Sequence, residues 1–384
     1  MKKIVFVSAM KSVPWGGSEY LWSGAATSFL SQGLDVGISV KNWGKPVEEV
    51  DALAQQGAVI FHYNTRPPLA CGLREKIKQR FNPPRPWIES FKEWIIEYAP
   101  DHVCVSGGNF TDGRWALEIL HELKVPYSIV VQANAEFLWP IDPIREKLLP
   151  LYMDAKAVFC VSEANLMLLQ DQLAITLPSA KVIRNPYNVS KKSESQWPAV
   201  STPLKCACVG RLEPAAKGQD LILRVLAQPE WKGRDIEVNL YGEGSSEQGL
   251  RDLICRYGVE DKIFLRGTVN NVEEVWAENH VCLMPSRYEG MPLAMVEAML
   301  CNRAVVATDV AGHAEFLQDG QEAFLAAGAT HRAWAKAMER MWSHRDELQQ
   351  MGLQAGKKAR SLVPDDPCGE FVHLLTELLN GESL

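Results

Sequence analysis

KCACVGRLEPAAKGQDLIL (205–223) is the stretch whose reading decides the fold. A short apolar run, KCACVGR (205–211), gives way to a loop, and a helical pattern opens near Gly218. Apolar strand, loop and amphipathic helix form the repeating unit of a parallel sheet, because strands covered by helices on both faces have no polar side. The same unit recurs downstream, with strands IEVNLYG (236–242), KIFLRG (262–267), VCLMPS (281–286) and AVVATDV (304–310). It recurs upstream as well, in KIVFVSA (3–9), DVGISV (35–40), AVIFHY (58–63), HVCVSG (102–107), YSIVVQ (127–132) and AVFCVS (157–162). Helix-like segments lie between these runs, at 18–32, 47–56, 87–98, 111–124, 143–153 and 163–172. The two series are separated by NVSKKSESQWPAVSTP (188–203), which is rich in Ser, Lys and Pro and has the composition of a linker. The reading is therefore α/β, with two Rossmann-like doubly wound domains. The first spans 1–188, a linker covers 189–203 and the second domain spans 204–365. After the breaker VPDDP, 366–384 forms a C-terminal helix able to pack back on the N-terminal domain. Ligands of open α/β sheets sit outside the carboxyl ends of the strands, so the site is sought in loops that follow strands, facing a cleft between the domains.

Composition narrows the class. The chain has 384 residues, 47% of them hydrophobic and 23% charged, which excludes a disordered chain, a collagen-like fibre and a coiled coil. Lys and Arg number 40 against 47 Asp and Glu, a net charge of −7, and a dedicated nucleic-acid binder is usually basic. None of the nine cysteines forms C-x-x-C, and most sit inside apolar runs as small hydrophobes, which suits a reducing cytoplasm. The start MKKIVFVSAMK resembles a signal peptide, but Lys11 closes its short apolar run and no A-x-A-like site follows. No apolar run approaches the roughly 18–20 residues that span a bilayer, so membrane association is expected to be peripheral at most.

Two loops carry candidate chemistry. In GRLEPAAKGQDLIL (210–223), Arg211 and Lys217 flank a loop that opens a helix, and two cations there make a site for a diphosphate. If a diphosphate leaves, charge grows on its bridging oxygen, and preorganised cations stabilise that charge more than the ground state. From spacing alone, two ordinary surface charges are an equal alternative. In MPSRYEGMPLAMVEAML (284–300), Glu289 lies just past a strand end and Glu297 lies on the following helix, an E-x7-E pair. A carboxylate accepts two hydrogen bonds well, so either one suits a vicinal diol. The Gly290–Met291–Pro292 turn offers backbone N–H groups from Gly290 and Met291 but none from Pro292. The alternative is a helix start favoured by acids, which fits Glu297 poorly because Met295, Val296, Ala298 and Met299 surround it.

Taken in order, GRLEPAAKGQDLIL, LYGEGSSEQGLRDL, IFLRGTVNNVEEVW, PSRYEGMPLAMVEAM and AVVATDVAGHAEFLQDG resemble the donor domain of the retaining glycosyltransferases of family 4, which have the GT-B fold. The loop PWGGSE, VSEANLMLLQ and VIRNPYNV extend the resemblance over nearly the whole chain. The resemblance implies that Arg211 and Lys217 hold the donor diphosphate and that Glu289 sits at the donor sugar with the amides of Gly290 and Met291. It implies that Glu297 holds the ribose hydroxyls, while the Gly242–Glu243–Gly244 loop and the Arg266–Gly267 strand end border the nucleobase. The loop between Arg211 and Lys217 is one residue longer than the commoner GRLxxxKG form.

In VPWGGSE (13–19), Gly16 and Gly17 permit close backbone approach to the donor, and Glu19 is placed to accept an acceptor hydroxyl. Without the resemblance, this stretch reads as an ordinary βα turn. Many family members carry a His after the strand that reads SIVVQANAEFLWP here; this chain has Gln132 and Asn134, which can bind and orient an acceptor but cannot act as bases. Same-face attack needs no such base. The segment 66–94 carries seven Lys/Arg with interleaved aromatics, a composition that suits an anionic membrane surface or a lipid-diphosphate acceptor. Trp87, Ile88, Phe91, Trp94 and Ile95 equally follow the spacing of a core-facing helical stripe. No D-x-D occurs, so neither a metal nor another cofactor is expected.

The expectation is a metal-independent retaining glycosyltransferase. It would transfer a sugar from a nucleotide-diphosphate donor to a sugar or lipid-linked sugar acceptor, in the cytoplasm or at the inner face of the membrane, for surface polysaccharide or glycoconjugate synthesis. Nucleic acid is not expected as a partner. The rivals are a nucleotide-sugar epimerase or hydrolase on the same architecture and a catalytically silent sugar-nucleotide binder.

Overall fold

The computed structural model describes residues 2–11, 13–64, 86–193, 195–199, 203–382 and 384. Two compact units emerge. One comprises Met1–Val161, Asn165–Pro186 and Asp366–Leu384, the other Ser162–Ala164 and Tyr187–Asp365.

In the first unit, strands β1 (Lys3–Ser8), β2 (Asp35–Lys41), β3 (Val59–Tyr63), β4 (His102–Gly107), β5 (Tyr127–Val131), β6 (Ala157–Cys160) and β7 (Ala180–Val182) form one sheet. Their order is β3-β2-β1-β4-β5-β6-β7, and every pairing is parallel. Ile4, Val5, Phe6 and Val7 are all fully buried, which is why the central strand reads as an unbroken apolar run. The chain returns to this unit at its end. Pro367 opens the last helix, Pro367–Leu379, and the Asp366 side chain caps it by accepting from the Gly369 N–H at 2.8 Å. Phe371 and Leu375 are fully buried in the same cluster as Trp22, Phe29 and Phe159. Each such side chain contributes about 1.5–3 kcal/mol by burial.

The aromatic residues of helix Pro86–Tyr98 are used in packing. Trp87 meets Trp115 with ring centroids 4.6 Å apart, Phe61 stacks on Trp94 at 5.0 Å, and Phe91 is fully buried. The core-facing stripe is thus the reading the structure supports for 86–94. Lys92, from the basic set of 66–94, reaches Glu122 at 2.6 Å, and the residues from 66 to 85 lie outside those described.

In the second unit, β8 (Leu204–Val209), β9 (Ile236–Tyr241), β10 (Ile263–Gly267), β11 (Val281–Met284), β12 (Ala304–Thr308) and β13 (Ala323–Ala326) form a parallel sheet ordered β10-β9-β8-β11-β12-β13. Both sheets therefore change direction beside their first strand, the doubly wound arrangement whose loops at the strand carboxyl ends bind ligands. The stretch with linker composition is tied to this unit. Arg303, fully buried, donates to Gln196 O at 2.5 Å, and Arg360 donates to Lys191 O at 3.1 Å and Ser193 O at 2.9 Å. Lys191 in turn pairs with Asp365 at 2.7 Å.

Candidate active site

The β8 loop is built to hold Lys217. Pro214 starts a single helical turn, Pro214–Lys217, and Gly218 ends it with φ +67° before helix Gln219–Leu226 begins. A Cβ at Gly218 would lie 1.9 Å from Pro285 O, so only glycine lets this loop press against the end of β11. The next residues of the β11 loop then hang on the turn: Arg287 N and Tyr288 N donate to Ala216 O at 2.8 and 3.2 Å. The Arg287 guanidinium donates to Pro214 O at 2.6 Å and pairs with both oxygens of Asp220 at 2.6 and 2.9 Å. This two-pronged clamp fixes both loops relative to each other.

Held this way, Lys217 Nζ lies 2.6 Å from Glu289 Oε1, and Ser286 Oγ donates to the same oxygen at 2.7 Å. Glu289 is 7% exposed. Burial, the largest single influence, pushes its carboxyl up, but the Lys217 and His313 charges together with the hydrogen bonds from Lys217 and Ser286 outweigh it and hold the carboxyl below the usual range. Arg211, on the same loop, pairs with Glu213 at 2.9 Å, with both side chains more than a third exposed. Such a pair is worth little and exchanges readily for a phosphate. The Gly242–Glu243–Gly244 loop closes against it: Leu212 N donates to Glu243 O at 3.0 Å, and a Cβ at Gly242 would lie 2.2 Å from Gly210 O. Gly244 passes equally near the Leu212 backbone.

Glu297 sits on helix Leu293–Leu300, 3% exposed. Both the backbone N–H and the Nδ2–H of Asn188 donate to its Oε1, each at 3.0 Å. Burial pushes this carboxyl up, and the Asn188 bonds only partly oppose it. Gly290 and Met291 occupy the turn between Glu289 and this helix, with Met291 buried. Arg266 is not gathered with these groups. Its side chain turns back along β9 to Asn239 Oδ1 at 2.6 Å and Glu237 Oε1 at 3.2 Å, which leaves only the Gly267 end of the strand beside the Gly242 loop.

In the first unit, Glu19 is 2% exposed. Its Oε2 accepts from Ser8 Oγ at 2.6 Å and Trp22 Nε1 at 3.0 Å, and Oε1 accepts from Ser18 Oγ at 3.4 Å. Burial pushes the Glu19 carboxyl up to about 7 despite these bonds. Glu19 lines a cavity of about 460 Å³ together with Trp15, Trp43, Lys45, Asp51 and His62. That volume suits one or two sugar rings, with indoles to cover their apolar faces. Gly16 leaves ample room, since a Cβ there would meet only Val13 Cγ2 at 3.8 Å; Gly17 follows it in the same loop.

The two amides after β5 are engaged by the protein. Gln132 Nε2 donates to Ser18 O at 3.1 Å while its Oε1 accepts from Asn185 Nδ2 at 2.8 Å. Asn134 Nδ2 donates to Gln172 Oε1 at 2.8 Å. Gln132 thus braces the residue next to Glu19.

Arg287, Asp220, Ser286 and Asn188 escaped the sequence reading, as did His313, which is fully buried with Nδ1 2.5 Å from Thr308 O. Thr308 Oγ1 donates to Ser286 O at 2.6 Å, so this histidine supports the Glu289 loop from below. A charged Arg beside Glu289 and an Asp just after Lys217 were visible signals; the Asn188 contact had none. Among the described residues, no group of three or more His, Cys, Asp and Glu side chains converges as a metal site. No described helix is long and apolar enough to cross a membrane.

Residues 203–344 match the family model described as glycosyl transferases group 1. The chain is 30% identical over 118 residues to a poly(ribitol-phosphate) alpha-N-acetylglucosaminyltransferase of Staphylococcus aureus, covering 30% of this chain and 24% of that protein. It is 26% identical over 276 residues to a D-inositol 3-phosphate glycosyltransferase of Nocardia farcinica, covering 66% of this chain and 60% of that one. The chain thus spans less than two thirds of the length of these curated relatives. The structure is similar to that of Anabaena HepE in complex with UDP, with a TM-score of 0.72, 18% identity, and 99% and 100% of the two chains covered. It is also similar to a sucrose-phosphate synthase of Thermosynechococcus elongatus, with a TM-score of 0.72, 16% identity and full coverage of both chains at 100%. The two doubly wound units are those of the GT-B glycosyltransferase fold, and residues 203–344 carry the pattern of its group 1 family.

Proposed function

We propose that this chain is a retaining glycosyltransferase that moves a sugar from a nucleotide-diphosphate donor to a hydroxyl acceptor without a metal ion. The observation that carries the reading is the half-buried Lys217–Glu289 pair, 2.6 Å apart, with Arg211 on the same clamped loop. Arg211 and Lys217 bind the diphosphate oxygens. As the bond from the sugar's anomeric carbon to the phosphate oxygen breaks, the new negative charge falls on oxygens that these cations already face. The acceptor oxygen bonds the same face of the anomeric carbon, and its proton passes to the departing phosphate. No protein base is needed, which agrees with amides at 132 and 134.

Glu289 then accepts hydrogen bonds from the transferred sugar, beside the Gly290 and Met291 backbone, and Glu297 accepts from the ribose. The Gly242–Gly244 loop borders the base. Glu19 binds the acceptor hydroxyl in the cavity it lines. UDP is the first nucleotide to test, since HepE binds it, and a relative from Campylobacter jejuni that acts on a diphospho-undecaprenol acceptor makes a lipid-linked sugar a reasonable second substrate. Surface polysaccharide or glycoconjugate synthesis, on the cytoplasmic side of the membrane, is the setting that fits.

The test has two arms. A thermal-shift screen with UDP, GDP, ADP and their sugars is expected to single out one nucleotide, because a ligand that binds only the native state raises stability by RT ln(1+[L]/Kd). With that donor, an acceptor panel is expected to yield a glycosylated product. Free or epimerised sugar as the sole product would overturn transfer in favour of hydrolysis or epimerisation. Tight donor binding without turnover on any acceptor would instead mark a silent binder.

A further inference from the structure

Glu297 is buried on an otherwise apolar helix, and one residue alone holds it. Asn188 sends two donors, one from the backbone and one from the side chain, to the same oxygen, Oε1. Oε2 makes no hydrogen bond among the described residues. Two donors converging on Oε1 fix the plane of the carboxylate and leave Oε2 as an acceptor for something else. They also favour the ionised form against the effect of burial, and only that form accepts from both hydroxyls of a diol. Asn188 directly follows Tyr187, where the chain enters the second unit.

We infer that Asn188 is a positioning residue for nucleotide recognition: it fixes Oε1 of Glu297 so that Oε2 is presented to the vicinal hydroxyls of the donor's ribose. This rests on the nucleotide-sugar reading above. The competing account is that Asn188 only anchors the chain as it enters the unit. An anchor affects stability, or weakens every nucleotide by the same factor. A positioning residue affects the choice between ribose and deoxyribose.

The experiment is calorimetric titration of the full chain with UDP and 2′-deoxy-UDP, or the matching pair for GDP or ADP if the thermal screen selects one of those. Wild type is expected to prefer the ribonucleotide. In Asn188→Ala, ribonucleotide affinity is expected to fall about tenfold, the scale of one hydrogen bond to a charged group, with a smaller loss for the deoxynucleotide. The preference therefore shrinks. On a Glu297→Gln background, Asn188→Ala is expected to add little further loss, because it acts through that carboxylate. If Asn188→Ala does not fold, Asn188→Ser keeps a short donor and is measured instead, with an intermediate preference expected. An equal loss of both ligands, an unchanged preference, or losses that simply add on the Glu297→Gln background would overturn the inference. A wild type that binds both nucleotides equally would overturn the ribose role of Glu297, and the role of Asn188 with it. A wild type that binds no nucleotide would overturn the proposed function itself.

Discussion

Glu19 in the first unit and Glu289 in the second are both buried carboxylates in loops that follow parallel strands, 2% and 7% exposed. They are nevertheless protonated in opposite senses. Glu19 is surrounded by neutral donors, the hydroxyls of Ser8 and Ser18 and the indole of Trp22, and its carboxyl rises to about 7. Glu289 has one hydroxyl and one ammonium, and its carboxyl falls below the ordinary range. Hydrogen bonds from neutral groups stabilise a buried carboxylate less than its lost hydration did; at Glu289 a cation at contact distance, with His313 and a hydroxyl beside it, tips the balance the other way. The contrast suits the two proposed tasks. A carboxylate that pairs with Lys217 and accepts from the donor sugar needs fixed charge at every working pH, whereas one at an acceptor hydroxyl can titrate.

The largest effect should come from removing the cation that makes the difference. Lys217→Ala is expected to lower kcat about 100- to 1000-fold, the scale of one preorganised electrostatic group, with a smaller change in donor binding. It should also raise the folded pKa of Glu289, because burial is then opposed only by the His313 charge and the Ser286 hydrogen bond. In wild type, the contribution of Glu289 to stability is present above its unfolded pKa and lost as pH falls through its lower folded pKa. In the variant, that loss of stability on acidification should shrink. Steady-state kinetics and melting curves from pH 4 to 8 check both parts, and wild-type turnover would remove Lys217 from the site.

A smaller effect is expected from the other carboxylate. Between its unfolded value of 4.5 and its folded value of about 7, the native Glu19 holds a proton that the unfolded chain has lost. Stability therefore declines as pH rises through this window. Glu19→Gln removes the ionisation and is expected to stabilise the protein by about 2–3 kcal/mol at pH 8 relative to wild type, with little difference near pH 4.5. If the variant melts with the wild-type pH dependence, Glu19 is not the group that titrates. The same substitution should weaken the acceptor more than the donor, and an equal effect on both KM values would argue against the cavity as the acceptor site.

The smallest expected effect is none. Excess EDTA should leave turnover unchanged, since Arg211 and Lys217 supply the positive charge that stabilises the departing diphosphate. Loss of activity restored by magnesium or manganese would transfer that role to a metal and weaken the comparison between the two units.

Much of this arrangement is legible in the chain, and the reasons divide cleanly. Strands 3–8 and 204–209 could be found because a strand covered on both faces carries a short, mostly apolar run, a property of neighbouring residues. The loops bearing Arg211, Lys217 and Glu289 followed, because the position of a loop depends only on where its strand ends. The linker composition of 188–203 was equally plain, yet that stretch is held down by Arg303 and Arg360, from far along the chain. Gln132 was legible as a polar residue at a strand end, but its partners Asn185 and Ser18 were not.

By itself, then, the sequence determined two parallel α/β sheets, the order of their elements and which polar residues stand at strand ends, since periodicity and chain direction are local properties. Only the tertiary structure decided which of those residues act together. Lys217 and Glu289 are 72 positions apart, and Asn188 and Glu297 are 109 apart. The charge state of a buried carboxylate depends on the partner that folding brings within about 3 Å, and no local pattern specifies that partner.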